Sequence, residues 1–161
     1  MASDPQRAAM RYLMDLLLHH RARIHYAELR PMSTASIHSV LGLKQRIAAP
    51  GGLTMDCSES VTLICKLAGL SDPNGLAYNG QGFTGTLLGH LPHYVNAAGA
   101  KIGALCVFGP GTGKHVAMVY ERGTDPMMWT HGETGDPSLH RLSWMVPGFA
   151  PPVTFLNISA L

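Results

Sequence analysis

The chain has 161 residues, enough for one compact domain and short of two ordinary ones. Hydrophobic residues make up 46% and charged residues 14%, with 18 Gly and 11 Pro, a composition that can fill a core and excludes intrinsic disorder. A net charge of +2 argues against a nucleic-acid binder living on phosphate contacts, and no apolar run approaches the roughly 20 residues of a membrane helix.

Asp4-Pro5 reads as a helix start, with Asp as cap, and Met10, Leu13, Met14, Leu17 and Leu18 continue at helical spacing to about Ala22. Leu16-Leu17-Leu18 lies between Asp15 and His19-His20, so it is no signal-peptide core, and the chain is expected to be cytosolic when made. Ile24-His25-Tyr26 leaves the helix extended. Residues 32–53 read as loop with a short helix around Val40 to Ile47, closed by the turn Ala49-Pro50-Gly51-Gly52. Cys57 to Ala68 is a second predicted helix, stopped by Gly69. The Gly-, Asn- and Asp-rich stretch from Ser71 to Gly85 is too long for a simple connector and is expected to form a groove wall.

The apolar period then changes to two. Gly103 to Phe108, His115 to Tyr120, Met127 to His131, Leu139 to Trp144 and Val153 to Ile158 are five predicted strands, separated by Gly- and Pro-rich turns. Helices first and a meander second predict one α+β domain over residues 1–161, with an N-terminal helix and loop region (1–54) and a core (55–161) in which helices pack on an antiparallel sheet.

Cys57 and Cys65 share one predicted helix, about 12 Å apart along its axis. A disulfide needs Cα atoms within about 7 Å, so the two cannot bridge, and the absence of a CxxC pair argues against structural zinc. Cys57 sits at the helix start in Met55-Asp56-Cys57-Ser58-Glu59, where the partial positive charge and free N–H groups stabilise a thiolate and an oxyanion. His115 opens one strand and His131 closes the next, so a hairpin would bring both to one end of the sheet. A cysteine facing one histidine, with a second polar group orienting it, is the layout of a cysteine-nucleophile site. Zinc ligation by Cys57, His115 and His131 is the alternative chemistry for the same residues. Gly109-Pro110-Gly111-Thr112-Gly113-Lys114 is not a phosphate loop, because Phe108 and His115 stand at its defining ends and it joins strand to strand.

Asp56-Cys57-Ser58 opening a helix resembles the Asp-Cys-Ser-Gly motif of the NlpC-type cell-wall cysteine peptidases, which have a compact papain-like fold. Gly103-Ala104-Leu105-Cys106-Val107-Phe108 and Lys114-His115-Val116-Ala117-Met118-Val119-Tyr120 resemble the two strands that follow in that family, the second carrying its catalytic His. Thr130-His131-Gly132 with Gly135-Asp136-Pro137 is similar to the Ser-His-Gly stretch of phage and actinobacterial members. The likeness runs from about Met55 to Trp144, and more loosely through Ile24 to Met32.

The resemblance implies hydrolysis of a stem-peptide bond in bacterial peptidoglycan, commonly that from D-γ-glutamate to the diamino acid. Cys57 would be the nucleophile, His115 the base and then acid, and His131 the residue orienting His115. Asp56 would anchor a free stem-peptide amine with Ser58 close by, and Tyr26 would line the site. No metal, cofactor or nucleic acid is implied. A phage-borne enzyme, an endolysin or virion tail component reaching the wall from the virion or the host cytoplasm, fits the pattern, with other tail proteins as partners. A non-catalytic tail component keeping the fold is the alternative. Glu59 stands where the family has Gly, and reads as the far end of a capping box that places a second carboxylate near the thiol. Lys114 and Ala104 also depart from the family pattern.

Overall fold

The switch from a helical to a two-residue apolar period becomes helices followed by a four-strand meander, with the last strand returning to the opposite edge of the sheet rather than extending the meander, in the computed structural model, which describes residues 2–94, 96–132 and 135–158. Helix α1 (Asp4–His19) is capped by Ser3 rather than by Asp4. Ser3 and Gln6 exchange side-chain and backbone bonds across the first turn, and Asp4 takes the first helical position. The chain then forms β1 (Ile24–His25), α2 (Val40–Ala48) and β2 (Leu53–Thr54). Strands β1 and β2 pair in parallel, a contact too short to carry a periodic signal.

Helix α3 (Cys57–Leu67) is buried from Cys57 through Cys65, and all three cysteines are free. Helix α4 (Thr84–His90) follows the Gly-rich loop; its short span with Gly85 and Gly89 inside it hid it from the sequence pattern. The sheet is built from β3 (Leu105–Phe108), β4 (His115–Glu121), β5 (Met127–Thr130), β6 (Ser138–Arg141) and β7 (Val153–Leu156). Its order is β6-β5-β4-β3-β7, with every neighbour antiparallel. This is the expected α+β architecture with five strands.

The predicted strand from Leu139 to Trp144 is half correct. It ends at Arg141, and Leu142–Met145 forms the helical turn α5. Asp125 accepts bonds from the Ser143 N–H at 2.8 Å and its hydroxyl at 2.7 Å, and so holds the turn against an extended path. Strand alternation separates two apolar clusters. Leu105, Val107, Val116, Met118 and Trp129 face α1 and α3, while Cys106, Phe108, Ala117, Val119 and Met128 face the smaller cluster around Met145 and Phe155. Met10, Leu13, Met14 and Leu17 bring α1 onto the larger cluster, each contributing about 1.5–3 kcal/mol by burial. The packing fixes α3 against β4.

Candidate active site

Cys57 begins α3 because Asp56 caps it, accepting the Glu59 N–H at 2.7 Å. The residue is 6% exposed, and the N–H groups of Val116 and Ser58 and the Tyr26 hydroxyl favour its thiolate. Burial nevertheless dominates. It pushes the thiol up to about 11, with the Asp56 charge adding to the rise. The lowered thiol expected from the helix end is therefore absent at rest, because desolvation outweighs the donors.

His115 lies on the strand face of Ala117, with its ring stacked on Phe149 at 5.4 Å and 6°. Its Nε2 meets Thr130 Oγ1 at 2.6 Å. Burial, then the neighbouring His131, lowers its pKa to about 4. Among the described residues no hydrogen bond joins its ring to Cys57; the N–H of Val116, the next residue, favours the Cys57 thiolate.

His131 does not make the contact expected of it. Register pairs Ala117 with Thr130, so Thr130 shares the face of His115 and His131, one residue on, turns to the other. There its Nδ1 meets Ser60 Oγ at 3.1 Å, and its ring lies edge-on to Tyr26 at 5.4 Å. Ser60 gives its hydroxyl hydrogen to the Asp56 carbonyl at 2.7 Å, so it can only accept from His131. The His131 proton therefore sits on Nδ1, and the buried Nε2 has no partner among the described residues. Burial lowers its pKa to about 4 as well.

Asp56 and Ser58 are brought to the cysteine but are already engaged. Arg30 Nη1 lies 2.8 Å from Asp56 Oδ2, Arg30 Nη2 donates to Ser58 Oγ at 2.8 Å, and Ser58 donates to Asp56 Oδ1 at 2.8 Å. Tyr26 reaches the thiol and lines the cleft beside His115. Glu59 caps nothing with its side chain. It is fully buried and accepts the Thr34 N–H at 2.7 Å, with the Ser33 hydroxyl, whose shorter bond goes to the Thr54 carbonyl at 2.7 Å, lying 3.1 Å from the same oxygen.

Two grooves meet at Lys114. One is lined by Cys57, Arg30, Ser58, Phe83 and Thr84, so the Gly-rich stretch does supply part of a wall. The other is lined by Tyr26, His115, Thr130, His140, Trp144 and Phe149. Thr130 and Arg30 escaped the sequence reading. Strand parity with Ala117 contained the signal for Thr130; nothing local marks Arg30. Among the described residues no group of three or more His, Cys, Asp and Glu side chains is placed to hold a metal ion, and no helix is long and apolar enough to cross a membrane.

No family model matches the chain, and no curated protein matches it. Among solved structures it is similar to the peptidoglycan hydrolase RipB from Mycobacterium tuberculosis, at 19% identity and a TM-score of 0.44, over 95% of this chain and 82% of that one.

Proposed function

We propose that the chain is a peptidoglycan hydrolase, a cysteine endopeptidase that cleaves a stem-peptide amide, with the D-γ-glutamyl bond to the diamino acid as its target. The observation that carries the reading is the pairing of Cys57 at a helix start with the strand opened by His115. The N–H of Val116, beside His115, favours the Cys57 thiolate, and Nε2 of the His115 ring is held by Thr130.

In this reading both reacting groups rest neutral. With the Nε2–H of His115 donated to Thr130, Nδ1 carries the lone pair that accepts the thiol proton through water as sulfur attacks the carbonyl, since no hydrogen bond joins the two side chains at rest. The Cys57 N–H, at the first turn of α3, helps hold the oxyanion. The amide C–N bond breaks as His115 returns the proton to the leaving amine, and water then hydrolyses the thioester. His131 is a positioning residue here, holding Ser60 and the Tyr26 ring under the cysteine. Delivery from a phage particle, or through a lysis pore, belongs to the same proposal.

The test is incubation with purified peptidoglycans of different cross-link chemistry and mass analysis of the released fragments. New amino termini at one stem bond are expected, and none from Cys57→Ala with an unchanged Tm. Full activity in Cys57→Ala, or fragments cut only in the glycan, sinks the proposal.

A further inference from the structure

The family resemblance gives Asp56 to a free amino group of the stem peptide, and the structure uses that carboxylate elsewhere. Oδ1 accepts from the Glu59 N–H and the Ser58 hydroxyl, and Oδ2 faces Arg30. With Asp56 2% exposed, an incoming ammonium group meets an occupied carboxylate and a guanidinium beside it.

Arg30 is the group with capacity left. Nη1 serves Asp56 and the Leu29 carbonyl, and Nη2 gives one hydrogen to Ser58. Two from Nη1 and one from Nη2 make three of the five N–H donors of a guanidinium. The remaining two, Nε–H and the second Nη2–H, share one edge of the planar group and have no protein partner among the described residues. That edge matches a carboxylate in bidentate geometry. The side chain is 27% exposed and lines the groove of Cys57. The other charged groups lining that groove are Asp56, which Arg30 already pairs, and Lys114 and Glu28, both exposed, so two acids face two bases and Arg30 is balanced rather than outweighed.

We propose that Arg30 binds a carboxylate of the substrate next to the scissile bond, so that the chain recognises an acidic peptide and needs no free amino terminus. The peptide class rests on the function proposed above; the carboxylate preference stands on the geometry of Arg30.

The test reads binding without hydrolysis, as protection of Cys57 from iodoacetamide in the full chain, with peptide mapping to separate it from Cys65 and Cys106. The probes are L-alanyl-D-glutamate γ-methylamide with a free α-carboxylate, the same compound as its α-carboxamide, and the N-acetyl form of each. The acid is expected to protect at about tenfold lower concentration than the amide, and N-acetylation to change protection by less than about twofold. Arg30→Gln should bring acid and amide together. Arg30→Lys, which keeps the charge but not the fork, should retain part of the preference, and it decides the matter if Arg30→Gln does not fold. Equal protection by acid and amide, loss of protection on N-acetylation, or a full preference surviving in either variant overturns the proposal. Carboxylate-selective protection with no fragments released from peptidoglycan would sink the hydrolase reading and leave this one standing.

Discussion

Thr130 Oγ1 lies 2.6 Å from Nε2 of His115, while the adjacent His131 turns its ring to Ser60 beneath the cysteine helix. The antiparallel register of β4 and β5 forces this division, since one residue along a strand reverses the face. Thr130 is therefore the residue that holds the plane of the His115 ring. Thr130→Val should lower kcat/KM on peptidoglycan by about ten- to a hundredfold with little change in Tm, and Thr130→Ser should restore most of it. Unchanged activity in Thr130→Val would remove Thr130 from the machinery.

Acid should unfold the protein through its two buried imidazoles. His115 and His131 both sit near a pKa of about 4, against 6.5 in the unfolded chain, and burial is the main cause in each. Above pH 6.5 neither ring is charged in either state, and the full stability is present. Between 6.5 and about 4 the unfolded chain binds protons that the folded one refuses, so stability falls with pH, at about 1.4 kcal/mol per pKa unit and ring before solvent relaxation reduces it. Urea midpoints from pH 8 to 4 should decline below 6.5, and the decline should shrink in His131→Gln. On the alkaline side the Cys57 thiol, at about 11 folded against 9 unfolded, favours unfolding from pH 9 upward. Alkylation of Cys57 should climb through that range with no plateau at neutral pH; a neutral plateau would mean a resting ion pair.

Trp144 offers the groove of His115 an indole that is 67% exposed and stacked on His140 at 4.1 Å. The chain's other tryptophan, Trp129, is fully buried, so acrylamide quenching reports on Trp144. Stem-peptide fragments should protect Trp144 from the quencher. Trp144→Ala should raise KM by about three- to tenfold at nearly constant kcat, because the ring stacks on His140 and offers the groove apolar surface rather than a group that moves a proton. A fall in kcat matching the fall in kcat/KM would contradict that role.

What the sequence reveals of this molecule is set by period and by caps. The apolar spacing of α1 and α3 and the alternation of β3, β4 and β5 are local patterns, so those elements and the burial of Cys57 at a helix start are legible from residue types alone. Helix α4 is not, because two glycines and seven residues leave no periodic face. The orientation of His131 is legible only once the strand pairing is known, because it depends on which residue Thr130 faces. Arg30 comes from an irregular segment and meets Asp56 across 26 residues of chain, a contact that no local pattern encodes.

Glu59 separates two ways a carboxylate can act near a cysteine. Its place three residues after Asp56 suggests a capping box that loads charge onto the thiol, but one of its oxygens holds the Ser33–Ser36 turn through the Thr34 N–H instead. Burial raises its pKa, the Thr34 and Ser33 bonds work against the rise, and one oxygen has no partner among the described residues. A raised folded pKa means stability that is present at low pH and lost as pH rises. Glu59→Gln keeps an acceptor for the Thr34 N–H without the buried charge, and should be neutral or stabilising at pH 7. Glu59→Ala leaves that N–H without its acceptor, while the Ser33 hydroxyl keeps the Thr54 carbonyl at 2.7 Å, and should cost about 1–3 kcal/mol in urea unfolding. The alkylation profile of Cys57 should be the same in both variants as in the parent chain, because burial and Asp56, not Glu59, raise that thiol. A shift to lower pH in Glu59→Gln would show that the carboxylate acts on the sulfur after all.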